Sequence, residues 1–144
     1  MQTSEGAKAY EEAVSLLMQA QPMAKLDVAG PMCSANTSHV SDIGVSGATG
    51  HRGADGNKAA QRLRNHGGVV QGGGAIKEGI EFGPWIDGAD FVVALLVGDG
   101  EPTRTHRKIL LDPTSGAVGV ALGAHSKYGK VCVVTLAPSC VVLS

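Results

Sequence analysis

Aromatic side chains are almost missing from this chain: one Trp, two Tyr and two Phe occur among 144 residues. So few rings cannot build a base-stacking surface. A formal net charge of −1 also removes the broad basic field that nucleic acids and anionic membranes respond to, so no nucleic-acid partner is expected. Cysteine is scarce as well. Cys33, Cys132 and Cys140 have no C-x-x-C spacing, which argues against a thiolate zinc site, and an odd number allows at most one intrachain disulfide. Cys132 lies in an alternating apolar run and reads as a small core residue. No apolar run approaches the ~18 residues of a membrane span. Glu5, Lys8, Glu11 and Glu12 interrupt the start of the chain, which therefore does not read as a signal peptide. Either the protein acts inside the cell or this chain is a mature or truncated form.

Glycine, by contrast, is abundant at 21 residues, about twice its ordinary ~7% share, so long loops or close backbone approaches are expected. The length suits one domain over residues 1–144 with a single core. Residues 5–19 read as an amphipathic helix with Tyr10, Val14 and Leu17 inward, closed by Pro22. A linker through Pro31 leads to a second helix over 34–43, with Val40 and Ile43 as its inward residues and His39 inside it. Asn36-Thr37-Ser38 is a glycosylation sequon, meaningful only in a secreted chain. A glycine-punctuated loop follows at 45–56, carrying His51. Asp55 is placed to cap a third helix that buries Ala59 and Leu63 and stops at Gly67.

Residues 67–83 match neither nucleotide-binding glycine pattern and are expected to form a flexible loop. Residues 86–98 read two ways. F-V-V-A-L-L-V at 91–97 is short and β-branched enough for a buried strand, whereas Asp87 and Asp90 in a first turn and the helix formers Ala94, Leu95 and Leu96 favour a buried helix. The buried helix is the expectation, partly on the family resemblance given below. The last third reads as an antiparallel hairpin of strands 117–123 and 130–137. Its second strand is apolar on both faces and is therefore expected at the centre of a sheet covered on both sides. Helices followed by a hairpin predict a layered α+β fold.

The stretch D-G-E-P-T-R-T-H-R-K at 99–108 packs a turn, His106 and three cations next to an apolar run. Such a kink suits the rim of a site, but these ten residues alone read more simply as a solvated turn with a basic edge. Together with H-V-S-D-I-G at 39–44, T-G-H-R-G-A-D-G at 49–56 and V-G-V-A-L-G-A-H-S-K-Y-G-K-V-C-V-V-T-L-A at 118–137, it makes the chain resemble the CAP superfamily. That is the SCP-type domain of cysteine-rich secretory, antigen-five and pathogenesis-related class-one proteins, and this chain resembles a divergent member.

The resemblance implies a three-layer α-β-α sandwich with a central antiparallel sheet, an extracellular location, and a cleft lined by two histidines and two acids. Carried over, the histidines are His51 and His106, and Asp99 is the remaining acid. The G-E-N-I segment falls on Gly73-Gly74-Ala75-Ile76, so Gly74 stands where the glutamate is expected. Glu78 would substitute only if the segment folds back. Arg104 and Arg107 would line the cleft. Two imidazoles and water hold a divalent cation such as zinc weakly, and no general base remains for a bound water.

The expected function is thus a non-catalytic secreted domain that binds a small hydrophobic ligand, a sterol or lipid, or weakly a divalent cation. The alternatives are a zinc-dependent hydrolase using His51, His106 and Asp99, and a purely structural or interaction module. No G-x-S-x-G occurs, which disfavours a serine hydrolase.

Overall fold

The computed structural model describes residues 3–84 and 87–144. In chain order the elements are α1 (Lys8–Gln19), β1 (Asp27–Val28), α2 (Gly30–Ser46), α3 (Ala59–Asn65), β2 (Gly68–Val69), a 3-10 turn (Gln71–Gly73), β3 (Lys77–Gly83), α4 (Gly88–Val97), α5 (Thr105–Leu110), β4 (Ala117–His125), β5 (Gly129–Ala137) and β6 (Val141–Val142). The predicted hairpin is β4–β5. It sits inside a four-stranded sheet ordered β1-β4-β5-β3, antiparallel except for the short β1–β4 pairing; β2 and β6 pair separately.

β5 is interior, as its two apolar faces predicted. On one side Val131 and Val133 meet Val40 and Ile43 of α2 together with Ile80. On the other, Val134 and Leu136 pack with Leu95 of α4, joined by Ile109 and Leu110 of α5. Helices therefore cover both faces, giving the three-layer α-β-α sandwich. Each large apolar side chain fully buried in these layers stabilises the fold by about 1.5–3 kcal/mol. Cys132 is buried on the α4 side, where burial raises its thiol pKa to about 11, and all three cysteines are free.

Several local expectations are corrected. α1 buries Ala9 and Ala13 against Val97, while Tyr10, Val14 and Leu17 are 54%, 41% and 44% exposed. This outer helix lies close on α4, and only small residues allow that approach. α2 is longer than predicted because Pro31 opens it rather than ending a linker; a first-turn proline sacrifices no helical hydrogen bond. Asn36 is 1% exposed and bonded to Val133 O and Thr135 Oγ1, so the sequon is a core hydrogen-bonding residue. Asp55 closes a turn by accepting from Asn57 N, and Lys58 occupies the N-cap of α3.

The segment expected to be a loop over 67–83 contains β2, the 3-10 turn and β3. Its glycines hide the alternation of Glu78, Ile80 and Phe82, which the pairing with β5 fixes. The buried helix before the 99–108 stretch is present as α4, opened by a capping box between Asp87 and Asp90. Among the described residues no helix is long and apolar enough to cross a membrane.

Candidate functional site

His51 is carried by the loop after α2, and two buried histidines hold that loop in place. His39 on α2 donates from Nε2 to Gly50 O at 3.0 Å. His125 at the end of β4 donates from Nε2 to Ala48 O at 2.9 Å, while its Nδ1 accepts from the Lys127 and Tyr128 amides, which fixes the tautomer. The His125 ring is wedged edge-on against Phe82 with centroids 5.0 Å apart. Both histidines act as ties for this loop. Asp42 completes the loop by accepting from Ala54 N.

Glu78 on β3 meets this loop. Its Oε1 lies 2.8 Å from His51 Nδ1, and its Oε2 is bonded by Arg62 of α3. Arg62 also donates to His51 O and Asn57 O, so one guanidinium joins loop, helix and strand. The Glu78 and Arg62 side chains are 5% and 6% exposed, against 57% for His51. Burial alone would raise the Glu78 pKa, but the hydrogen bond from His51 and the charge of Arg62 hold the carboxyl below its ordinary value. The same bond to Glu78 raises the His51 pKa, against the opposing effect of burial.

The second half comes from the other face of the sheet. β3 alternates, so Glu81 projects on the side opposite Glu78. There His106 of α5 places Nδ1 3.8 Å from Glu81 Oε2 and 3.8 Å from Glu101 Oε2, too far for hydrogen bonds. Burial lowers the His106 pKa; Glu101 opposes this, and the proximity of His51 adds to it. Burial raises Glu81 to about 6, with a contribution from the charge of Glu101 against a bond from the Phe82 amide. His51 thus meets β3 on one face through Glu78, and His106 lies on the other face beside Glu81.

The other expected site residues lie elsewhere. Asp99 accepts from the amides of Ser4 and Glu5 and the hydroxyl of Ser4, so both its oxygens tie down the start of the chain. Arg104 and Arg107, expected at the cleft, are 5% and 6% exposed and spent on internal bonds. Arg104 pairs with Glu5 and Glu12 and donates to Gly98 O and Glu101 O; Arg107 donates to Leu96 O, Val97 O and Ala9 O. They cap the negative end of α4 and fasten α1 to it. Arg104 adopts a left-handed backbone (φ 51°), held by those bonds. Gly74 packs beside Pro138 and Val70, away from His51; Glu78, four residues on, supplies the carboxylate. Arg62, Glu81 and Glu101 escape the sequence reading. Treating 77–83 as a strand would have put Glu78 and Glu81 on opposite faces of one edge.

Among the described residues no group of three His, Cys, Asp or Glu side chains is arranged to hold a metal ion. Glu78 is already committed to Arg62 and His51.

No family model and no curated protein sequence matches the chain. Solved structures do. An extracellular protein containing an SCP domain from Bacillus anthracis strain Ames superposes with a TM-score of 0.63 at 19% identity, over 81% of this chain and 35% of that one. An outer surface protein from Borrelia burgdorferi superposes with a TM-score of 0.62 at 16% identity, over 95% of each chain. This chain therefore spans about a third of the length of the Bacillus protein. It has the fold of the SCP, or CAP, domain.

Proposed function

We propose that residues 1–144 form one extracellular, non-catalytic SCP-fold domain that holds a small ligand in the cleft between His51 and His106. The observation that carries this reading is the state of Glu78. It is the carboxylate nearest the exposed imidazole, and it is buried, ionised and fully occupied by Arg62 and His51. A group so engaged neither accepts a proton from water nor contributes a free ligand to a metal. That region offers His51, His106 and the carboxylates of Glu81 and Glu101, whose sole basic neighbour within 4 Å among the described residues is His106, itself held below the usual imidazole pKa by burial. That surface suits a ligand presenting positive charge or hydrogen-bond donors, a weakly held divalent cation among them. A sterol or fatty acid would sit instead in the apolar groove of about 400 Å³ formed by Leu63, Val69, Val70 and Ile76. The extracellular location is supported by the two structural neighbours, described as extracellular and as an outer surface protein.

Calorimetric titration with zinc, and separately with a sterol and a fatty acid, tests this. Weak, exchangeable zinc binding that His106→Ala abolishes is expected; absence of binding by all three ligands at micromolar protein would defeat the reading.

A second reading, zinc-dependent hydrolysis, is favoured by one feature. Glu81, raised to about 6 beside His106, has the acidity of a general acid or base at neutral pH. It requires near-stoichiometric zinc together with ester or peptide hydrolysis that Glu81→Gln removes, and a zinc-loaded protein without such activity would eliminate it.

A further inference from the structure

The two edges of the four-stranded sheet are defended differently. β3 carries Lys77, Glu78 and Glu81 within seven residues, the sort of charge that keeps an edge from recruiting another strand. At the other edge, β1 covers only two residues of β4, Asp27 against Ala117 and Val28 against Val118, before the chain lifts away into α2. The next stretch of β4, residues 119–124, reads G-V-A-L-G-A, with no charge and no proline.

The covered end tells which backbone groups face out. Ala29 N donates to Val118 O. A strand alternates sides residue by residue, so Val120 and Leu122 turn their N–H and C=O groups the same way. Among the described residues no backbone group pairs with them on that side. Further along the edge closes again: a Cβ on Gly44 would lie 2.3 Å from Ala124 O, and Ser126 N donates to Gly44 O. The gap presents two donors and two acceptors. Val120 and Leu122 flank it at 49% and 44% exposure, and Val45 of α2 stands beside it at 85%. A cavity of about 370 Å³ occupies the notch, lined from above by Thr37, Ser41 and Val45.

We propose that this open edge of β4 receives an extended, uncharged peptide segment of a partner protein, paired strand to strand. The backbone groups select an extended chain. On the solvent face Val120 and Leu122 favour aliphatic or β-branched partners, and on the α2 face Thr37 and Ser41 leave room for small side chains.

A second copy of this chain does not fit. Two-fold pairing of β4 with β4 puts both α2 helices on the same side of the joined sheet. α2 lies directly over β4, since a Cβ on Gly119 would come within 2.4 Å of Met32 Cβ and one on Gly123 within 2.5 Å of Val40 Cγ1. Strands about 4.8 Å apart would bring the two helices well inside the roughly 8–10 Å that packed helices need.

The test uses the ¹⁵N-labelled protein and a blocked synthetic peptide, acetyl-Thr-Val-Ser-Val-Thr-Val-amide. Millimolar peptide is expected to slow hydrogen exchange at the Val120 and Leu122 amides about tenfold, and a version N-methylated at alternate amides to have no effect. Leu122→Lys, on an exposed side chain, is expected to stay folded and to weaken binding at least about tenfold; Val120→Pro, which removes one outward N–H, should do the same. Unchanged exchange at both amides, equal binding of the N-methylated peptide, or indifference to Leu122→Lys would overturn the proposal. So would a dimer in sedimentation that Leu122→Lys dissociates, which would give the edge to a second copy.

Discussion

Replacing Arg62 by Met isolates the buried ion pair on which the cleft is built. Both partners are nearly inaccessible, 6% and 5% exposed at the side chain. The substitution leaves Glu78 as a buried carboxylate with His51 as its remaining partner. It also strips a donor from His51 O and Asn57 O. Breaking one side of such a pair costs about 3–5 kcal/mol, whereas replacing both sides with apolar groups is often close to neutral. For a chain of this length the unfolding entropy is roughly 0.3 kcal/mol per degree, so Arg62→Met should lower Tm by about 10–17 °C at pH 7. The Arg62→Met, Glu78→Met double variant should recover most of that loss.

The pH dependence provides an independent check with a definite sign. Glu78 is held below its unfolded pKa, so its contribution is present above about pH 4.3 and is lost as pH falls through the folded value. The wild-type advantage over Arg62→Met should therefore shrink below about pH 4. Thermal and urea unfolding at pH 7 and pH 3 measure both effects. A loss under about 1 kcal/mol at pH 7, or a gap that persists undiminished at pH 3, would refute the assignment of Arg62 and Glu78 as the central tie.

The other predictions concern the scaffold and the two imidazoles. Gly119→Ala places a methyl 2.4 Å from Met32 Cβ and 2.6 Å from the Met32 carbonyl carbon. Since backbone cannot yield as a side chain does, unfolding should show a loss of about 3 kcal/mol or more. Gly123→Ala meets only the end of Val40 and should cost less; equal and small losses would contradict the close seating of α2. Arg107→Met leaves the carbonyls of Ala9, Leu96 and Val97 without their donor and should lower stability by about 3 kcal/mol, with protease cleavage appearing first around α1. NMR titration should find His51 protonating at higher pH than His106, because Glu78 raises the first and burial lowers the second. Its sign is opposite to that of Glu78: the His51 contribution is complete below about pH 6.5 and is lost as pH rises through the folded pKa. The reverse order of titration would contradict the pairing.

The amino-acid sequence by itself determined the hairpin, the central place of its second strand, the buried helix α4 and the layered class. The hairpin, its central strand and the layered class rest on local periodicity and on side chains that are apolar whatever they touch; for α4, where a strand was the alternative, the family resemblance also weighed. His106 was marked locally by its place after a turn, whereas His51 and the pairing of the two came from the resemblance to the CAP superfamily. Tertiary structure alone decided the carboxylates around them. Glu78 and Glu81 lie three residues apart in a glycine-rich segment that has no strand signal until β5 pairs with it. Only that pairing sends one carboxylate to Arg62 and the other toward His106. Tertiary structure likewise spent Arg104, Arg107 and Asp99 on internal bonds, because the carbonyl end of α4 and the amides at Ser4 and Glu5 needed partners that no neighbouring residue in sequence could supply.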